Sequence, residues 1–126
     1  MGHKWIDIES IMKSLRDRML VVSDNVYIGD SPSANYEKMK DFIVISFNGS
    51  IYDKGAYKSS YVIISLYVRD KSNGRQDVKR VDELCNKILT SIPIVENGYT
   101  LLSPVVGLGS KIGEFTKTII STRIII

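Results

Sequence analysis

Side chains suited to nucleophilic or proton-transfer chemistry are scarce in this sequence. It holds one imidazole, His3, and one thiol, Cys85, among 126 residues. A Ser–His–acid or Cys–His set needs an imidazole within hydrogen-bond reach of its nucleophile, and His3 precedes the first patterned segment. Cys85 falls inside an apolar helical stripe, where a thiol packs as a small inert hydrophobe. Zinc needs clustered Cys and His ligands, which the chain lacks. A pair of carboxylates could serve glycoside hydrolysis or hold magnesium. Asp7/Glu9 and Asp82/Glu83 fall on helix surfaces, while Glu96 and Glu114 stand alone, so solvated charge is the reading for each. Gly107, Gly109 and Gly113 invite comparison with a phosphate-binding loop. They lie between two strands, however, with no helix N-terminus after them to receive an anion. The expectation is no enzyme, no metal site and no cofactor.

Composition narrows the partners in the same direction. The net charge of +3 comes from 17 basic and 14 acidic residues spread through the chain. Lys38/Lys40 and Arg75/Lys79/Arg80 each sit beside carboxylates, so they read as a mixed-charge surface and not as a phosphate-tracking stripe. Sequence-specific nucleic-acid binding is not expected. A single cysteine rules out an intrachain disulfide. The opening Met-Gly-His-Lys-Trp leads into charged residues without a signal-peptide core, and no apolar run is long enough to span a bilayer. A soluble, cytoplasmic protein with no membrane partner is the expectation.

The elements that must position any site follow from periodicity. Ile8, Ile11, Met12, Leu15 and Met19 recur at helical spacing, with Trp5 either extending the stripe or stapling its start, or else exposed at a subunit contact. Val21 to Ile28 reads as an edge strand, and residues 29–41, broken by Pro32, read as a surface loop with a helical turn around Tyr36 to Lys40. Two long strands come next, Phe42 to Tyr52 and Tyr57 to Arg69, joined by the turn Asp53-Lys54-Gly55 into an antiparallel hairpin. Val78, Val81, Leu84, Cys85, Ile88, Leu89 and Ile92 mark a second helix, which Pro93 stops. After an Asn97-Gly98 turn, Tyr99 to Val106 reads as a strand, Gly107 to Ser110 as a loosened connection, and Glu114 to Ile126 as a final strand tied into the sheet. The pattern predicts an α+β fold in one domain over residues 1–126. Its antiparallel or mixed sheet has about four to five strands and two packed helices, in the order α-(β)-β-β-α-β-β.

One face of the long hairpin, Ile43, Ile45, Phe47, Val62, Ile64, Leu66 and Val68, reads as core. The reverse face carries Phe42, Val44, Tyr52, Tyr61, Ile63 and Tyr67, too apolar for a plainly solvated sheet surface. Either the N-terminal helix or another subunit must cover part of it. The candidate interaction residues are Tyr52, Asp53, Lys54, Tyr57, Tyr61 and Tyr67, because tyrosine brings large, stiff, amphipathic area to an interface.

The order of a helix, a long hairpin, a helix and a second hairpin resembles the tail-completion and tail-terminator family of long-tailed bacteriophages and prophages. Three segments carry the likeness: Ile8 to Met12 with Leu15, Asp41 to Ser46 leading through a polar turn to Tyr61 to Val68, and Val78 to Ile92. Members usually carry a proline-rich segment before the first long strand, and here Pro32 alone represents it. The resemblance implies a virion structural protein without catalytic residues or cofactor. It would assemble as a homo-oligomeric ring, commonly a hexamer, that caps the tail tube and joins it to the head connector. Such a protein is made in the host cytoplasm and ends in the virion tail. A ferredoxin-like α+β module that holds a peptide or small ligand would give similar patterns.

Overall fold

The computed structural model describes residues 6–29 and 38–126. His3, Trp5, Pro32 and the start of the expected turn at Tyr36 lie outside these residues. Helix α1 spans Ile8–Met19 and opens on Asp7, whose carboxylate accepts the Ser10 amide at 3.1 Å and the Ser10 hydroxyl at 2.8 Å. An N-cap of this kind satisfies amides that have no helical partner. Helix α2 spans Val78–Ser91 and is capped in the same way by Asp77. The α1 stripe falls where periodicity places it; in α2 Leu84 and Ile88 are buried and Val81, Cys85 and Leu89 partly so, but Val78 at its start is exposed. Ile11, Met12, Leu15 and Met19 of α1 and Leu84 and Ile88 of α2 are buried in one cluster with Ile43, Ile45, Val62, Ile64, Leu66 and Val68.

The sheet departs from expectation. Among the described residues it has six strands, not four to five: β1 (Val26–Ile28), β2 (Asp41–Asp53), β3 (Lys58–Arg69), β4 (Ile94–Glu96), β5 (Tyr99–Ile112) and β6 (Phe115–Ile125). They lie in the order β1-β2-β3-β6-β5-β4, with β1 parallel to β2 and every other pair antiparallel. The sheet is curled and mixed, and strand makes up 49% of the fold, so the architecture is mostly β and not a small sheet balanced by two helices. The ferredoxin-like order β-α-β-β-α-β is likewise not the order found.

Two segments account for much of the difference. Residues 94–96 were too short and too close to Pro93 to register as a strand, yet Asn97-Gly98 turns them back onto β5, with Gly98 at φ 107°. Gly107 to Ser110 is not a loop, because β5 runs through it with register shifts at Leu102/Val105 and Gly107/Ser110. A glycine is needed there: a Cβ on Gly109 would lie 2.7 Å from Thr116 Cγ2, so its absence lets β5 stay against β6. The reversal comes later, at Gly113, where φ is 58°.

The β2–β3 hairpin is antiparallel as expected, and its register runs from Asp41 opposite Val68 to Asp53 opposite Lys58, with a bulge between Asn48 and Tyr52. β6 then fills the centre of the sheet, and Ile126 exchanges backbone hydrogen bonds with Lys58 at 2.7 and 2.9 Å.

Candidate interaction surface

Cross-strand partners point to the same side of a sheet, so the register defines the face opposite the helices row by row. The first row reads Tyr52, Ser59, Ile125, Thr100, and the second Asn48, Tyr61, Arg123, Leu102. Next come Ser46, Ile63, Ser121, Val105, then Val44, Ser65, Ile119, Gly107, and then Phe42, Tyr67, Lys117, Ser110. Arg69, Phe115 and Ile112 close the set. α1 packs on the other side of the sheet, so it does not cover Tyr61 or Tyr67.

The last rows form a second, smaller core within the chain. Phe42 and Tyr67 stack at 4.3 Å, and Phe115 and Tyr27 meet Phe42 edge-on at 5.2 and 6.4 Å. Val44 is buried with them, and Met39 packs against the cluster. The Arg69 guanidinium lies 4.7 Å over Phe115 and is tethered to Glu114 at 2.7 Å, while Lys117 lies 5.5 Å over Tyr67. Such cation–ring contacts help cap an apolar cluster.

The first rows are open. Tyr52 is 53% exposed, Tyr61 50% and Val105 67%, and Ile63, Leu102, Ile119 and Ile125 are half-buried around them. The polar members of these rows are hydroxyl groups, Asn48 and Arg123, with no carboxylate among them. At the hairpin tip Asp53 accepts the Gly55 amide at 2.9 Å, the Lys54 amide donates to the Tyr57 carbonyl at 2.8 Å, and the Lys54 ammonium sits 5.7 Å over the Tyr52 ring. Asp53 and Lys54 therefore shape the tip that presents Tyr52.

Of the six candidate residues, the structure places Tyr52, Asp53, Lys54, Tyr57 and Tyr61 on the exposed half of the hairpin. Tyr67 is 9% exposed and belongs to the inner cluster. Sequence reasoning did not assign Leu102, Val105, Ile119, Arg123 and Ile125 to this surface. The alternation of β6 was legible, but which strands flank it was not.

A second polar constellation lies at the opposite edge. Buried Asp41 accepts the Ser23 hydroxyl at 2.6 Å and an Arg80 nitrogen at 2.9 Å, joining the exit of α1, the start of β2 and the first turns of α2. Its carbonyl also accepts from Asn25 at 3.2 Å. The bond to Asp41 pushes the Arg80 guanidinium further up in pKa, against the opposing effect of burial. A cleft beside it is lined by Leu20, Val21, Asp24, Lys38 and Lys40 among others. On α2, burial pushes the Cys85 thiol above its ordinary pKa, and the nearby Asp82 charge acts in the same sense. Among the described residues, no group of three or more His, Cys, Asp or Glu converges as a metal site, and no helix is long and apolar enough to cross a membrane.

No family model matches the chain, and no curated protein matches it in sequence. Its fold is shared: solved chains match it, 20 of them at a significant level. One superposes with a TM-score of 0.63 over 93% of this chain and 90% of its own length. Its name states no activity, and at 8% identity the likeness shows the fold alone.

Proposed function

We propose that this protein is a structural component of a phage or prophage tail, a ring-forming tail-completion protein that caps the tail tube and meets the head connector. The observation that carries the reading is the open half of the sheet face. Tyr52 and Tyr61 stand half out of the fold beside Val105, Leu102, Ile119 and Ile125 on one contiguous surface. Contiguous exposed apolar surface is a common mark of a binding site, and tyrosines are frequent anchors in one. The architecture adds support, because β3 is paired with β2 on one side and β6 on the other, so the sheet presents that surface without rearrangement. The ring is built from copies of this chain and acts through shape and contact, with no cofactor.

Sedimentation velocity over a range of protein concentrations tests the reading. Discrete higher oligomers that grow with concentration are expected, together with a ring outline in negative-stain images. A chain that stays monomeric from micromolar to near-millimolar concentration, with or without tail-tube protein, removes the proposal.

A further inference from the structure

The chemistry of the open face constrains what can cover it. Two copies packed face to face would hold their sheets about 10 Å apart. Arg123 of each copy would then enter a shared apolar layer, with Lys117 three rows further on, and neither face offers a carboxylate in the rows from Tyr52 to Lys117. A guanidinium taken out of water without a partner is strongly unfavourable, and like charges brought together add to the penalty. The covering surface must therefore bring apolar area and a carboxylate, and it must be a different surface from the face itself.

The chain carries such a surface at the corner that follows α1. Large exposed hydrophobic residues are adjacent in sequence at two places among the described residues, Leu20–Val21 and Val105–Val106. The second pair lies on β5, and its Val105 is part of the open face itself. At the first, Leu20 is 43% and Val21 77% exposed, and exposed Asp24 follows three residues later. The corner is stiff. Val22 and Ser23 donate their amides to the Met19 carbonyl at 2.9 and 3.2 Å, the Val22 side chain is buried, and the Ser23 hydroxyl is fixed on Asp41. A patch held in place in this way loses little entropy on docking. Lys38 and Lys40 border its cleft, so the match rests on Leu20, Val21 and Asp24 and not on net charge.

We infer that Leu20, Val21 and Asp24 of one copy cover the Tyr61–Arg123–Val105 region of the next, with Asp24 paired to Arg123. The inference rests on the ring reading above and specifies its contact. α1 packs on the helical side of the sheet while the open face looks the other way, so the contact is head-to-tail. Head-to-tail contacts build a ring where the rotation between copies closes, whereas face-to-face contacts stop at a pair.

Charge exchange tests it on the whole chain, with circular dichroism as the control for folding. Arg123→Glu and Asp24→Arg should each weaken assembly on the order of tenfold or more in sedimentation. The Arg123→Glu/Asp24→Arg double variant should recover it. If the wild-type chain assembles but Asp24→Arg assembles equally well, or the double variant does not recover, the contact is wrong while the ring reading stands. A wild-type chain that assembles no further than two chains at any concentration would show face-to-face packing and overturn the inference. A wild-type chain that never associates overturns both.

Discussion

Tyr61 and Tyr67 lie six residues apart on one face of one strand, and the structure assigns them opposite roles. A fully buried aromatic side chain removes roughly 150–250 Å² from water. Tyr61 is half exposed, which leaves about 100 Å² for a neighbour to cover. At ~25 cal/mol per Å² that area is worth ~2.5 kcal/mol per contact, or on the order of 65-fold in dissociation constant. Tyr61→Ala should therefore weaken self-association by about that factor while changing the stability of the monomer by ~1 kcal/mol or less. Tyr67 is 9% exposed and stacks on Phe42 at 4.3 Å, so Tyr67→Ala opens a cavity in the second core. Its loss should be ~3–5 kcal/mol in folding free energy. Sedimentation velocity reads the first effect, and urea titration followed by far-ultraviolet circular dichroism reads the second. The reasoning is refuted if Tyr61→Ala destabilises the fold more than Tyr67→Ala does, or if it leaves association at wild-type strength.

Three further outcomes follow from the packing. Asp41→Ala should lower stability by ~2–3 kcal/mol in urea titration, less than for a fully buried ion pair because the Arg80 side chain is 41% exposed and can rehydrate. Gly109→Ala should destabilise by ~1–3 kcal/mol, since the new methyl meets Thr116, whose hydroxyl is held on Asp70 at 2.8 Å; a variant as stable as wild type would mean that β5 yields there. Cys85, with its pKa raised by burial, should react with a disulfide reagent at mildly alkaline pH more slowly in the folded protein than in urea, and equal rates would contradict the packing of α2.

Much of the skeleton was legible because local patterns suffice for it. Asp7 and Asp77 cap helices whose stripes have helical period, and Asp53-Lys54-Gly55 reverses the chain with Gly55 at φ 85°, as its turn chemistry requires. The strand count was less legible. β4 has three residues, and the glycines of β5 read as a loop because local propensity cannot register that Thr116 demands a close approach. The reverse face was read as too apolar to be solvated, and its division was not readable at all. Phe42 and Tyr67 are sealed by Tyr27, Met39 and Phe115, which are distant in sequence, whereas Tyr61 on the same strand has no such cover among the described residues. Alternation assigns a side chain to a face; only the tertiary arrangement decides which end of that face is closed. Asp41 was equally hidden, since its partners Ser23 and Arg80 lie 18 and 39 residues away.

The position of β6 bears on how the chain is made. The sixth strand in sequence lies third from one edge in space, pairing β3 from Ser59–Ile125 to Arg69–Phe115. During synthesis β3 emerges with its hydrogen-bonding edge bare, and about 45 residues separate Arg69 from Glu114 at the head of its partner. At ~5–20 residues per second the edge stays open on the ribosome for roughly 2–9 s, in a chain already able to form the β2–β3 hairpin. That interval is long beside the microseconds in which hairpins close. Crowded nascent chains are thus open to strand exchange with one another before they are complete. A product truncated ahead of Phe115 would leave the edges of both β3 and β5 bare, which makes it a seed for aggregation rather than a smaller version of the protein.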